Sequence, residues 1–155
     1  MSGENVAVRR LQGGDILEIA SGGLLRLLAG GKFDNAGGLA DASIVVGAEI
    51  ANVRDITIQL KDGQGADLAA RQAVLALVLA DANGDAFVTT GGTTGIAIGT
   101  DGALLALVAK KAFVLISEAD GDIDLTWTDT GTEAAFLALV MPTGKLVISA
   151  ALTNT

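Results

Sequence analysis

Asp55-Ile56-Thr57-Ile58-Gln59-Leu60-Lys61 alternates polar and apolar side chains without a break, and Asp62-Gly63-Gln64-Gly65 then turns the chain. A period of two puts Ile56, Ile58 and Leu60 on one face and Thr57 and Gln59 on the other. That is the pattern of a strand half buried against a core. Turn residues recur downstream at Asp81-Ala82-Asn83-Gly84-Asp85, Gly91-Gly92, Asp101-Gly102, Asp120-Gly121-Asp122, Thr130-Gly131 and Pro142-Thr143-Gly144. Between them lie strand candidates at 71–80, 95–99, 104–110, 112–117, 123–129, 133–141 and 145–152. Short strands separated by regular turns predict an antiparallel β-sandwich over 52–155, with 41–51 as a connector carrying the β-branched run Ile44-Val45-Val46. The Ala/Leu-rich stretches 68–80 and 103–112 have helix propensity, but turns bound them closely. Strands are expected there, with a helix in the first as the alternative.

Upstream, Gly14, Gly22, Gly30 and Gly38 fall eight residues apart. On that octad Leu17, Leu25 and Phe33 share one column, Ile19 and Leu27 a second, and Glu18, Arg26 and Asp34 a third of alternating charge. One strand and one glycine turn per rung is the pattern of a β-helix or β-prism. About three rungs cannot bury their own apolar column. Residues 11–40 are therefore expected to form a short stem that needs partner copies, with Leu17, Ile19, Leu25, Leu27 and Phe33 as its packing residues. Residues 1–10 read either as an arm that orders against a partner through Arg9 and Arg10 or as a frayed terminus with two solvated charges.

Half of the 155 residues are hydrophobic, yet only four Phe and one Trp are aromatic, so the core has to be built from Val, Ile, Leu and Ala. Twenty-one Gly against one Pro favours tight turns over extended linkers. The net charge of −8 is uneven: residues 1–61 carry six Lys/Arg and seven Asp/Glu, residues 62–155 four and eleven. An acidic surface repels phosphates, which argues against nucleic acid as a partner. No apolar run reaches the roughly 18–20 residues of a membrane span, and the first ten residues lack a signal core, so a soluble chain made in a cytoplasm is expected.

There is no Cys, His or Tyr. Thiolate sites, the usual general base and the commonest metal ligand are thereby removed. Asp81, Asn83 and Asp85 begin like a calcium loop, but Ala86 and Gly92 stand where that loop needs Gly and Glu. An Asn-Gly hairpin turn is the expectation. Glu118, Asp120, Asp122 and Asp124 put four carboxylates within seven residues, read as a solvated acidic loop rather than a cation or acid/base site. Gly91-Gly92-Thr93-Thr94-Gly95 lacks the Lys-Ser/Thr ending of a phosphate loop. Ser21, Ser43, Ser117 and Ser149 have no His partner, and Lys110 or Lys111 would have to lie beside one to serve as base. Trp127 is assigned to the centre of the sandwich core. No catalytic, cofactor-binding or metal residues are assigned, and no enzyme is expected.

From Asp55 to Gly63, followed by Asp67-Leu68-Ala69, the chain resembles a domain of tailed-phage virion proteins that opens an immunoglobulin-like sandwich. Ile123-Asp124-Leu125-Thr126-Trp127 and Lys145-Leu146-Val147-Ile148-Ser149 look like its late strands, although Ala73-Val74-Leu75-Ala76-Leu77-Val78-Leu79 lacks the aromatics of its second strand. The glycine-punctuated segment in front is similar to the trimeric stems of phage head and tail fibres. The resemblance implies a structural role: a capsid decoration or head-fibre trimer on the outer surface of a phage head, contacting the major capsid protein through Arg9 and Arg10. A tail-fibre or baseplate component that meets a host surface is the alternative. A bacterial adhesin or carbohydrate-binding module ranks behind, because stacking aromatics are few.

Overall fold

The computed structural model describes Val8–Arg10, Leu17–Ile19 and residues 38–155. Among the described residues there are eleven strands and no helix. The chain divides into two units, Met1–Phe33 and Asp34–Thr155. In the first, β1 (Val8–Arg10) pairs antiparallel with β2 (Leu17–Ile19), setting Arg9 opposite Glu18 and Arg10 opposite Leu17 in register. Leu25, Leu27 and Phe33, and with them the rungs expected between Ile19 and Gly38, lie outside the described residues.

The second unit holds two antiparallel sheets. The four-stranded sheet runs β3 (Asp41–Val46), β4 (Val53–Lys61), β9 (Asp122–Thr128), β6 (Gly95–Ile98). The five-stranded sheet runs β11 (Leu146–Ile148), β10 (Phe136–Val140), β5 (Ala73–Leu79), β8 (Ala112–Ile116), β7 (Ala103–Val108). The expected alternation of β4 is realised: Ile56, Ile58 and Leu60 are buried, while Asp55 and Thr57 are exposed. Residues 41–46, read as part of a connector, form a strand that pairs with β4 along its length. The Ala/Leu-rich stretches are strands, β5 and β7, and the helix alternative at 68–80 is not adopted. Helix propensity in them yields to the turns that bound them and to pairing on both sides of β5.

The inner faces of the two sheets meet in one aliphatic core. Ile56, Ile58, Ile123, Leu125 and Trp127 come from one sheet, and Val78, Phe113, Leu115, Leu137 and Leu139 from the other. The result is β-sandwich-like, with Trp127 wholly buried in its core. Its ring lies so close to Gly92 that a Cβ there would sit 2.9 Å from it, and Gly92 also has a φ of +74°. Glycine is required at that point for both reasons.

The β3–β4 hairpin closes with two bonds between Ile50 and Val53, donated both ways at 2.8 and 3.0 Å. Ala51 and Asn52 between them both have positive φ, the two-residue turn whose twist matches the strands. The last residues are pinned across this end. Asn154 donates to the carbonyls of Asn52 and Asp129, each at 2.8 Å, and Arg54 donates to Asn154 Oδ1 at 3.1 Å and to the Thr153 carbonyl at 2.9 Å.

Candidate functional site

Three features of the second unit have the geometry to act. The first is an acidic pocket on the outward face of the four-stranded sheet. Strand alternation turns Thr57 of β4 and Asp124 and Thr126 of β9 away from the core. With Asp55, Gly99 and Thr100 they help line a shallow cavity of about 370 Å³. Asp124 accepts hydrogen bonds from the Thr57 hydroxyl at 3.2 Å and from the Thr100 hydroxyl. Beside it, carboxylate oxygens of Asp101, Asp122 and Asp124 all lie within 4.8 Å of one another, each residue half-buried. Partial burial, and then the neighbouring charges of Asp124, Asp101 and Asp120, push the Asp122 carboxyl up; the Ile123 N–H offsets part of this. Asp101, Asp122 and Asp124 are the oxygen donors of the kind a hard cation takes. Acid/base work on a sugar is poorly served, since no aromatic side chain lines the pocket.

This trio differs from the acidic run read in the sequence. Glu118 is drawn into an ion pair with Arg71, and Asp120 Oδ1 accepts from the Asp122 N–H in its own turn. Asp101 joins in their stead because Gly99 pairs with Asp124 and Asp101 accepts from the Asp124 N–H at 2.9 Å. Its signal in the sequence was only a turn residue ahead of Gly102. At the calcium-like loop, Asp81 Oδ1 accepts from the N–H groups of Asn83, Gly84 and Asp85, at 2.8, 2.9 and 3.3 Å. That is a turn closed on itself by its own carboxylate.

The second feature is a backbone cradle that sequence reading missed. Thr89 and Thr90 N–H donate to Glu133 Oε1 at 2.7 and 2.9 Å, and Gly91 and Gly92 N–H donate to Oε2 at 2.9 and 3.2 Å. The Thr90 hydroxyl adds a fifth bond at 2.5 Å. Partial burial opposes the charged form of Glu133. The Thr90 hydroxyl and the N–H groups of Thr90, Gly92 and Gly91 outweigh it and hold the carboxyl at about 2. Lys110, itself at a φ of 63°, reaches the Gly92 and Thr93 carbonyls at 3.0 and 2.6 Å. The cradle thus fastens the segment before β6, in one sheet, to the segment before β10, in the other. The serines are spent on structure too. Ser149 Oγ accepts from the Leu137 N–H and donates to the Ala150 carbonyl, and Ser117 Oγ accepts from the Gln72 N–H and donates to the Glu118 carbonyl.

The third feature is the outward face of the five-stranded sheet. Register aligns Leu146, Val140, Leu75, Val114 and Leu105 in one row across all five strands. The next row reads Ile148, Ala138, Leu77, Ala112 and Val108, with Ala138 and Ala112 buried and Val108 exposed. Neither row contains a polar side chain. The loop between β5 and β6 covers one corner, where Gly84 lies against Leu79 and Leu146, and leaves the β7 side open.

The residues singled out for assembly fall in the first unit. Arg9 and Arg10 lie on β1, Leu17 and Ile19 on β2, and Leu25, Leu27 and Phe33 outside the described residues. No protein-family model matches the chain, and a search of curated proteins finds no significant match.

Proposed function

We propose that this chain is a non-enzymatic structural protein of a virion, a capsid decoration or head-fibre subunit that trimerises on a tailed-phage head and stabilises it. The observation that carries the assembly half is the outward face of the five-stranded sheet, aliphatic across all five strands in a chain of net charge −8. A strand apolar on both faces is one that expects cover on both. The virion half rests on the resemblance of residues 55–69, 123–127 and 145–149 to phage virion domains. Copies bound only to the assembled shell stabilise it by linkage.

The immunoglobulin-like reading draws support from strand order. β3-β4-β9 and β11-β10-β5 follow the A-B-E and G-F-C arrangement of that fold. The middle of the chain departs from it: β6 takes the outer place next to β9 before β7 and β8 are laid down in the other sheet, with β7 outermost. The non-enzymatic reading draws on the absence of His, Cys and Tyr and on the use of Glu133, Asp81, Ser117 and Ser149 in clasps and turns.

Labelling purified particles with an antibody against the chain tests the proposal. Regular labelling of the head surface is expected. Labelling confined to the tail would favour the tail-fibre alternative, and particles free of the chain would overturn the virion assignment.

A further inference from the structure

We infer that the outward face of the five-stranded sheet, together with the edge of β7 that no strand among the described residues pairs, is the seat of another copy of this chain. The inference rests on the proposed function only for the expectation that copies assemble; the surface and its occupant are argued from the fold.

Area is the first argument. Five strands about 4.8 Å apart, each about five residues rising ~3.3 Å, give a footprint of roughly 400 Å². Two such faces would bury at most about 800 Å² of flat footprint, less the corner that the β5–β6 loop already covers, so the edge of β7 has to supply much of the rest of the ~1,200 Å² of a specific interface. Charge is the second. The chain carries −8, so copies repel one another wherever their carboxylates meet. The two aliphatic rows carry no charge; Asp122 and Asp124 lie on the opposite sheet, with Asp101 drawn toward them in the β6–β7 turn. This face therefore lets two acidic chains approach with their carboxylates turned away. Of the basic residues bordering it, Arg71 and Lys145 are paired with Glu118 and Asp41 and Lys110 is held by the Gly92 and Thr93 carbonyls, which weakens any draw on an anionic lipid surface.

The edge is the third argument. β11 is three residues long and flanked by Pro142 and Lys145, and β6 is four residues long with Gly95 at its start. Short strands, Pro and Lys are the usual guards against pairing with another sheet. β7 reads Ala103-Leu104-Leu105-Ala106-Leu107-Val108, with neither Pro nor charge, and its one guard is a bulge between Ala106 and Val108. Leu105 and Val108 are 62% and 54% exposed. A face without polar groups that runs into an open strand edge offers a second chain both apolar contact and backbone pairing.

Sedimentation equilibrium on the full chain tests this, comparing wild type with the double variant Leu105→Glu/Val108→Glu and with Val45→Glu. Val45 is 64% exposed on the opposite sheet, and its variant is the control for a carboxylate added away from this face, one charge against the two of the double variant. Wild type is expected at two or three times its 15.5 kDa chain mass, with Val45→Glu alongside it. The double variant should associate on the order of 100-fold more weakly. Hydrogen exchange adds a readout that needs no variant: the amides of β7 should be slow in the assembly and quicken on dilution. A wild type that stays a single chain overturns the inference, whether its β7 amides are exposed, covered by its own N-terminal residues, or shielded only when lipid vesicles are added. So does a double variant that holds its mass as wild type does, or a Val45→Glu that dissociates equally. Failure here with the chain still found on phage heads would leave the virion proposal standing. Success with particles free of the chain would remove only the virion proposal.

Discussion

The two sheets present the same alternating backbone to solvent and dress it in opposite ways. Outward from the four-stranded sheet point Gln59, Thr57, Asp55, Asp122, Asp124 and Thr126. Outward from the five-stranded sheet point Leu75, Val114, Leu105 and their neighbours. Inward the two are alike, both supplying large aliphatic side chains to one core. What separates the sheets is therefore the environment each outer face is built for. Carboxylates and hydroxyls suit water, and a continuous aliphatic surface suits another apolar surface.

The likeness of the interiors is the part most open to breakage. Trp127→Ala in one sheet should lower the unfolding free energy by about 3–5 kcal/mol, and Leu137→Ala in the other by about 2–5 kcal/mol. Urea unfolding measures both, and a cost below about 1 kcal/mol for either would mean that the sheets do not share a core. Trp127→Phe should cost far less, about 1 kcal/mol, because Trp127 Nε1 is buried without a hydrogen-bond partner and its loss removes a burden along with volume.

Next in size is the clasp between the sheets. Glu133 sits at about 2 when folded against an ordinary 4.5. A lowered carboxyl contributes stability that is present above its unfolded value and lost as pH falls through its folded one. Allowing for solvent screening, that contribution is about 1–2 kcal/mol. Glu133→Gln should lose it at neutral pH and show a flatter acid dependence between pH ~4.5 and ~2 in thermal melts. Equal acid sensitivity in variant and wild type would place the wild type's acid loss elsewhere.

A smaller effect, of the other sign, belongs to the polar face. Asp122 is raised, so its ionised form works against the fold above the carboxylate range and protonation relieves it. Asp122→Asn should therefore gain about 0.5 kcal/mol at neutral pH, a gain that disappears on acidification. Smallest of all, Val45→Thr on the same face should shift stability by less than about 0.5 kcal/mol in urea, since the site is already exposed.

Where one face is polar, the sequence was easy to read. The alternation of Asp55 to Lys61 and of Ile123 to Trp127 located β4 and β9 and assigned their inner residues. Where both faces are apolar the period disappears, which is why β5 and β7 left a helix arguable over 68–80 and why their outer face was not foreseen. β3 was folded into a connector because Ile44-Val45-Val46 is short and shows no alternation of its own; pairing with β4 makes it a strand. The acidic pocket was half legible. Asp122 and Asp124 stood out as neighbours, but Asp101 reaches them only through the pairing of Gly99 with Asp124. The cradle was not legible at all, since four of its five donors are ordinary backbone N–H groups and only Gly91-Gly92 hinted at an unusual loop.

The contrast between the two outer faces has a consequence for the chain when it is alone. The second unit of a lone copy is two-sided, wetted by its carboxylates on the four-stranded sheet and shed by water on the open side of the five-stranded one. At an air–water boundary it would ride with the five-stranded sheet toward the air and the Asp101, Asp122 and Asp124 side in the liquid. Thin films and foams would then sort single copies by orientation, whereas copies already joined through the aliphatic face would stay in the bulk.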